Sequence, residues 1–324
     1  MDVSIILLTH NSQVTISDCL DSISLSILNS KLNCELIIVD ASSTDNTLSL
    51  INNKCLDLIL ISTDVLNRSS SFNMGAKRAC GKYICRIDSR SQIPSNYIEN
   101  CYAFLKENYG YFNVGGKMLP QNSNILIEIL YKSKISFGNA DFRYSEKDKD
   151  VDSVYLGFFE KKLFIDLGGY DEIFGFINEE TDLNYIAIKK GYKVRLLSNL
   201  NVKYFTRDKI KDYYLTMYRY GAARCGFFLK HIKLSMRIIM FVFFYLSTFL
   251  NIFSFVIYGN IFFTFFLIFQ FSFLYIFFVR DLKRFKSHLS QKNKIKIFFQ
   301  IVVGHIHWIK GFINRFFVKN SKYN

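Results

Sequence analysis

The sequence predicts an α/β domain, built on a mostly parallel sheet with helices on both faces, followed by a membrane anchor. In residues 1–200, short apolar runs alternate with segments whose apolar residues recur at helical spacing, a pattern typical of βαβ units. Residues 238–279 contain no charged side chain in 42 positions. Since one bilayer crossing needs about 20 apolar residues, this stretch predicts two crossings.

The order of the soluble elements follows from these patterns. Strands are predicted at residues 3–9, 35–40, 56–61, 82–88, 111–117 and 154–159, because each run is short and largely apolar. Helices are predicted at residues 16–28, 44–52, 68–79, 96–107, 179–190 and 209–230. Residues 138–152 are polar and charge-rich, and we expect a mobile loop there. We expect ligands at the carboxyl ends of the parallel strands.

Charge separates the chain into two parts. Residues 1–200 carry 21 Lys and Arg against 24 Asp and Glu, whereas residues 201–324 carry 20 against 3. In the second part the basic residues flank uncharged apolar segments, which favours an anionic membrane surface over nucleic acid as the partner. We therefore predict a cytosolic α/β domain at 1–231 and a membrane anchor at 232–324.

Within the anchor, helices are predicted at about 238–257 and 261–279, with both ends of the hairpin in the cytosol because basic residues flank both sides. A buried apolar hairpin of a soluble protein is the alternative. Residues 295–317 mix apolar, aromatic and basic side chains and predict an interfacial helix, or alternatively a third crossing.

The seven cysteines include no CxxC pair, and the first residues lack the basic and long apolar regions of a signal peptide. We therefore expect a reduced soluble domain on the cytosolic side of the inner membrane.

Acidic residues stand where two predicted strands end. Asp40 ends the second strand, and Asp45 follows it closely. A carboxylate at Asp40 can accept hydrogen bonds from a nucleobase or a ribose, although Ser43 or Asp45 could instead simply cap the helix that follows. Asp88 ends the fourth strand and provides an oxygen ligand for a divalent ion, or alternatively starts a turn.

Two helix starts complete the candidate site. Arg68 and the hydroxyls of Ser69–Ser71 precede the helical residues Asn73–Ala79, and the N-terminus of that helix could hold a phosphate or be ordinarily capped. Glu179, Glu180 and Asp182 open another helix. One of these carboxylates could take the proton from an acceptor hydroxyl, although acids in a first turn also favour the helix dipole.

The order and spacing of these motifs are similar to those of a known protein family. Thr9-His10-Asn11 is followed by IIVDASSTDNT, SFNMGAKRACGKYICRID, GGYDE, NEETDLN and YRYG. This series resembles the inverting family 2 glycosyltransferases of the GT-A fold, and within them the bacterial ExoA-like group of succinoglycan biosynthesis, which carries a C-terminal membrane segment. The resemblance spans about residues 1–231 by motif.

The resemblance implies a role for each motif. Thr9, Asn11, Asp40 and Asp45 would bind the nucleotide, and Asp88 would hold the diphosphate through Mg²⁺ or Mn²⁺. Glu180 would be the base, with Glu179 and Asp182 as alternatives. Arg68 and Asn73 would also contact the donor, and Arg219 would approach the diphosphate or the acceptor from the membrane side. The segment Gly168–Asp171 would line the acceptor side.

Two residues depart from the family pattern. The family's Asp-x-Asp is here Asp88-Ser89-Arg90, so the second carboxylate for the metal is missing. Either one carboxylate suffices, or Arg90 replaces part of the metal's charge, or the dependence of activity on metal is weak. The base position holds Glu180 where the family has Asp.

The predicted function is inverting transfer from a nucleotide sugar, expected to be a UDP-sugar, to a lipid-linked saccharide in exopolysaccharide, capsule or O-antigen synthesis. Direct transfer to a polyprenyl phosphate and a catalytically inactive nucleotide-binding subunit are the alternatives.

Overall fold

The structure is a computed structural model that describes residues 1–54, 57–137, 141–175, 177–233, 236–258, 261–283 and 289–318. The chain forms two compact units. Met1–Asn124 and Asn139–Lys209 belong to the first, and Ile125–Gly138 and Ile210–Lys319 belong to the second. The predicted boundary at residue 231 between catalytic domain and anchor stays a prediction.

A mixed sheet organises the first unit. Its strands are β1 (Val3–Thr9), β2 (Cys34–Asp40), β3 (Ile59–Ser62), β4 (Tyr83–Asp88), β5 (Ser91–Gln92), β6 (Tyr111–Gln121), β7 (Lys149–Asp150), β8 (Tyr155–Glu160) and β9 (Lys193–Phe205). They lie in the order β3-β2-β1-β4-β8-β6-β9-β5, with β7 against β9. The first four strands are parallel to one another, whereas β8 runs antiparallel to both β4 and β6. The predicted fold class is confirmed.

Helices cover both faces of this sheet. They are α1 (Ile16–Ser30), α2 (Thr47–Asn52), α3 (Arg68–Arg78), α4 (Tyr97–Glu107), α7 (Asp141–Tyr144), α8 (Lys161–Asp166) and α9 (Glu179–Lys189), whereas α5 (Ile125–Lys132) and α6 (Lys134–Phe137) belong to the second unit. All seven residues of β1 are buried. Because side chains alternate along a strand, Ile5 and Leu7 pack in one core cluster with α1 and α4, and Ile6 packs in the other with α3 and α9. Each such buried side chain contributes about 1.5–3 kcal/mol.

Two sequence predictions need correction, and one strand was not predicted. The helix predicted from residue 44 begins at Thr47, because Asp45 accepts hydrogen bonds from the Thr47 N–H and hydroxyl and holds the preceding segment in a turn. The loop predicted at 138–152 contains α7 and also β7, which pairs with β9. The long strand β9 was not predicted, since its polar residues alternate irregularly with apolar ones.

The second unit is helical. It contains α5 (Ile125–Lys132), α6 (Lys134–Phe137), α10 (Ile210–His231), α11 (Met236–Tyr258), α12 (Ile261–Leu282) and α13 (Gln291–Phe317). The predicted membrane segments 238–257 and 261–279 fall within α11 and α12. Helix α13 starts earlier than the predicted interfacial helix, because the Ser290 hydroxyl caps it by accepting from the Asn293 N–H.

One helix of the described residues is long and apolar enough to cross a membrane, judged by length and composition. Its window spans Phe265–Leu282 with a mean hydropathy of 1.7, and Tyr245–Ile257 is a shorter apolar helical segment. That either helix lies in a membrane stays a prediction.

Candidate active site

Strand register places three predicted residues along one edge of the sheet. Thr9 pairs with Asp40 across β1 and β2, and Leu8 pairs with Asp88 across β1 and β4. Since neighbouring strands lie about 4.8 Å apart, the backbones of Asp40 and Asp88 are roughly 10 Å apart at the carboxyl ends of the strands. A nucleotide could span that distance.

Asp40 lies at the centre of a hydrogen-bonded loop. It is 1% exposed, and its carboxylate accepts hydrogen bonds from the Ser43 N–H at 2.9 Å and from the Ser43 hydroxyl at 2.6 Å. Asn11, which has a positive φ of 47°, accepts from the Thr44 N–H at 2.8 Å. These bonds hold the residues after β1 against those after β2.

The carboxylate of Asp45 binds residues of the two segments that follow β1 and β2. Its carboxylate accepts from the Gln13 N–H at 3.1 Å and from Thr47. Although partial burial opposes the shift, these hydrogen bonds lower the pKa of Asp45. Its contacts are those of a structural residue.

Asp88 belongs to a cluster of four buried or half-buried charges. Its carboxylate accepts from Nε of Arg86 at 3.1 Å and lies 3.8 Å from Nη1 of Arg68. Nη2 of Arg86 also lies 2.9 Å from Glu179, and Arg68 lies 4.0 Å from the same carboxylate. Burial opposes ionisation of Asp88, but the two guanidinium groups outweigh it and lower its pKa.

Glu180 follows Glu179 but has a different environment. It is half-buried, and Nδ2 of Asn113 donates to its Oε1 at 3.3 Å. Burial raises the pKa of Glu180 to about 7, with Arg86 opposing the shift and Glu179 and Asp88 adding to it. A carboxylate with this pKa can accept a proton near neutral pH.

Asp182, the third acid of α9, is 1% exposed, and its N–H donates to the Asn178 carbonyl at 2.8 Å. Its deep burial makes it a poorer candidate than Glu180 for meeting an acceptor.

The side chain of Asn73 binds the backbone of Tyr170. Its side chain donates to the Tyr170 carbonyl at 2.7 Å and accepts from the Tyr170 N–H at 2.9 Å. Gly169 has a φ of +67°, and a Cβ there would come within 3.0 Å of the Asn73 oxygen. Asn73 therefore fixes the Gly168–Asp171 segment, and the Tyr170 ring lies under the Arg86 guanidinium at 5.5 Å.

Arg90 does not contribute its charge to this cluster by hydrogen bonding. Its guanidinium donates to the carbonyls of Phe205 at 2.9 Å and Thr206 at 3.2 Å. Of the sequence alternatives for the missing second carboxylate, replacement of metal charge by Arg90 is therefore not supported. Arg86 and Arg68 are the cations beside Asp88.

Arg219, which was predicted to approach the diphosphate or the acceptor, lies in α10 of the second unit and is half-buried. Its predicted role stays a prediction.

Sequence reasoning did not identify Arg86 and Asn113 as site residues. A signal for Arg86 exists, because it is the one charged residue before Asp88 in the apolar strand β4. The contact of Asn113 with Glu180 joins residues 67 positions apart and depends on the tertiary fold.

Metal binding would rely on one protein carboxylate. No group of three or more His, Cys, Asp or Glu residues suited to a metal occurs among the residues that the structure describes. Mg²⁺ is often held by one or two carboxylates together with substrate phosphates and water. Asp88 at its strand end fits that kind of site.

A sequence profile named glycosyl transferase family 2 matches residues 4–163, the segment that contains β1 to β8 and both Asp40 and Asp88. Residues 4–163 of this chain therefore form a family 2 glycosyltransferase domain. Two of its known relatives are 26% and 24% identical to it.

The first of these is the Methanococcus voltae dolichyl N-acetyl-alpha-D-glucosaminyl phosphate 3-beta-D-2,3-diacetamido-2,3-dideoxy-beta-D-glucuronosyltransferase, with the match covering 68% of this chain and 72% of that protein. The second is the succinoglycan biosynthesis protein ExoA of Rhizobium meliloti, with 62% of each chain covered. A third, the poly(ribitol-phosphate) beta-glucosyltransferase of Bacillus spizizenii, is 33% identical over 36% of this chain and 19% of its own length. The glycosyltransferase resembles enzymes of saccharide and polysaccharide synthesis.

Solved structures share its fold. TarS of S. aureus in complex with UDP-GlcNAc superposes with a TM-score of 0.51 at 15% identity, covering 100% of this chain and 93% of that one. GalNAc-T7 with UDP, GalNAc and Mn²⁺ gives a TM-score of 0.50 at 12% identity, covering 73% and 55%. At these identities the likeness establishes the GT-A fold.

Proposed function

We propose that this glycosyltransferase transfers a sugar, with inversion, from a UDP-sugar to a hydroxyl group of a lipid-linked saccharide. The observation that carries the proposal is Glu180, a half-buried carboxylate whose pKa is raised to about 7 beside the Asp88 cluster. A hydroxyl acceptor needs a base to take its proton, whereas a phosphate acceptor is already a nucleophile. A base matched to neutral pH therefore favours a saccharide hydroxyl over a polyprenyl phosphate.

Glu180 would take the proton of the acceptor hydroxyl as its oxygen attacks C1 of the donor sugar. The new C1–O bond forms as the bond from C1 to the diphosphate oxygen breaks, and the nucleoside diphosphate leaves with its electron pair. Attack opposite the leaving group inverts the configuration at C1. One carboxylate is sufficient for this step, and the proton of the acceptor hydroxyl ends on Glu180.

The leaving diphosphate would meet the Asp88 cluster. A divalent cation bound there supplies positive charge that stabilises the departing phosphate oxygens. Asp88 would hold it together with the diphosphate, and Arg68, 39% exposed and 3.8 Å from Asp88, would lie beside the same phosphates. Arg86 is only 5% exposed and would act through the carboxylates that it pairs with.

The nucleoside would lie over the ends of β1 and β2. Asp40 and Asn11 hold the loops there, and the Thr9 hydroxyl is buried with no hydrogen-bond partner in the described structure. UDP is the proposed nucleotide because TarS and GalNAc-T7, which share the fold, were solved with UDP-GlcNAc and with UDP.

A lipid-linked acceptor is supported by the second unit and by one relative. Large apolar side chains of α11 and α12 are strongly exposed, among them Phe249 at 63%, Val256 at 74%, Phe265 at 64% and Phe269 at 67%. Exposed apolar area of this extent is typical of membrane contact. The name of the M. voltae relative describes an acceptor that is a dolichyl-linked sugar phosphate. We propose the inner membrane, with the catalytic domain on its cytosolic side.

The test is transfer of labelled sugar to membrane lipids by the full chain, with a panel of UDP-, GDP- and dTDP-sugars and Mg²⁺ or Mn²⁺. Glu180→Gln and Asp88→Asn should each lower transfer by about 10²-fold or more. Asp166→Asn, which changes a surface carboxylate paired with Lys162, is the matched control and should retain activity. Full transfer by Glu180→Gln together with loss in Asp88→Asn would instead indicate a phosphate acceptor.

A further inference from the structure

Asn113 is a fully buried polar residue on β6, and every polar atom of its side chain has a partner. Its Oδ1 accepts from the Phe158 N–H at 3.2 Å. Its Nδ2 donates to Oδ1 of Asn184 at 3.0 Å and to Oε1 of Glu180 at 3.3 Å. Asn184 in turn donates to the Asp152 carbonyl at 3.3 Å. The base thus stands at the end of a chain of buried amides.

The orientation of the Asn113 amide is determined by its surroundings. A backbone N–H can only donate, so the group that faces Phe158 must be the carbonyl oxygen of Asn113. The NH₂ group must then face Glu180 and Asn184. The reverse orientation would place two donors against each other and leave Glu180 beside an acceptor, which is unfavourable for a buried carboxylate.

Gly157 packs against the same amide. A Cβ at this position would lie 2.8 Å from Oδ1 of Asn113, closer than real contacts allow. The neighbouring strand β8 therefore leaves space for the Asn113 side chain and supplies its orienting N–H from the next residue.

We infer that Asn113 is a positioning residue for the catalytic base, because its amide, held in one orientation by Phe158, donates a hydrogen bond to Oε1 of Glu180. The inference rests on the proposed role of Glu180. The bond holds one carboxylate oxygen, which leaves the other for the acceptor hydroxyl. It also favours the charged form, since a donor stabilises a carboxylate. The contact at 3.3 Å can shorten when substrate closes the site.

Several other groups act on Glu180 and must be separated from Asn113. Arg86 stabilises its charged form, whereas Glu179 and Asp88 disfavour it. The buried hydroxyls of Tyr97 and Tyr170 are also within electrostatic range. A useful variant removes the amide donor and leaves these groups in place.

The experiment follows the carboxyl group of Glu180 directly, by infrared difference spectroscopy of the full chain over a pH series. Glu180→Gln identifies the band. Asn113→Leu, which is nearly isosteric, should move the titration midpoint of Glu180 upward by about one pH unit, because the charged form loses a donor. The matched control Asn184→Leu keeps that donor and should leave the midpoint in place. An unchanged midpoint in Asn113→Leu, or an equal shift in both variants, would overturn the inference.

A second measurement needs no change at Asn113. In protein labelled with ¹⁵N asparagine, one side-chain amide signal should shift with the Glu180 midpoint and become independent of pH in Glu180→Gln. If no asparagine amide follows that midpoint, the hydrogen bond does not exist. Neither readout uses donor or acceptor. Loss of the proposed transfer reaction would therefore be distinguished from loss of the positioning contact.

Discussion

The guanidinium of Arg86 lies 2.9 Å from the carboxylate of Glu179, and this ion pair joins the end of β4 to the first turn of α9. The two side chains are only 5% and 4% exposed. The same guanidinium binds Asp88, so one buried cation compensates the carboxylate of the diphosphate site and the carboxylate beside the proposed base. Removal of one member of a buried ion pair leaves an uncompensated charge.

We therefore expect Arg86→Met to lower the free energy of unfolding by about 3–5 kcal/mol. Urea unfolding of the full chain in detergent measures the change. Lys54→Met is the control, because Lys54 pairs with Asp21 at the surface and such pairs contribute roughly 0–1 kcal/mol. Equal stability of Arg86→Met and the wild type would show that the cluster is not held by this cation.

Glu180 sets the expected dependence of the rate on pH. Its folded-state pKa lies at about 7, and the base must be deprotonated to act, so kcat/KM should fall about tenfold per unit as pH decreases below 7. Glu179→Gln removes a neighbouring negative charge that raises the Glu180 pKa, and the acidic limb should move to lower pH. Initial rates between about pH 5 and pH 8 measure both. A rate that does not change over this range would exclude Glu180 as the base.

Much of this site could be predicted from sequence because its residues follow strand ends. Asp40 and Asp88 each close a buried apolar strand, and parallel strands bring such residues to one edge. Glu180 was predicted from the resemblance of NEETDLN, which opens a helix, to the motif that holds the base in the family. The helix start at Thr47 was missed because it depends on which backbone groups Asp45 satisfies.

Arg86 and Arg90 show what sequence could not distinguish. The two arginines lie four residues apart, on either side of Asp88. Because Arg90 stands where the family has its second carboxylate, it was the candidate for replacing part of the metal's charge. In the structure Arg90 holds the carbonyl of Phe205 in β9, a strand that the sequence analysis did not predict. A side chain's role could not be assigned when its partner strand was unknown.

Asn178 precedes Glu179 with a positive φ of 77°, a conformation that is strained for residues other than glycine. We expect Asn178→Gly to be more stable than Asn178→Ala by about 1 kcal/mol. At Leu25, an exposed position in the middle of α1, the order should reverse, with alanine more stable than glycine by about 1 kcal/mol. Thermal unfolding of the four variants gives both differences. The same order at both positions would contradict the left-handed start of α9.

Two glycines hold α10 and α13 together within the second unit. A Cβ at Gly221 would meet the backbone carbonyl of Trp308, and a Cβ at Gly311 would meet that of Tyr218. Backbone atoms cannot move aside as a flexible side chain can. Gly221→Ala and Gly311→Ala should therefore each destabilise this unit by about 1–3 kcal/mol, although alanine ordinarily stabilises a helix relative to glycine by about 1 kcal/mol.

Trp308 is the one tryptophan of the chain and lies at this contact, so its fluorescence reports unfolding of the helix pair. Gly110→Ala is the matched control, because a Cβ there would have no neighbour within 4 Å. It should leave the tryptophan transition unchanged, while the two helix variants should lower its midpoint. If Gly221→Ala and Gly311→Ala instead raise the midpoint, helix propensity outweighs packing, and the two helices do not approach each other as closely as their glycines allow.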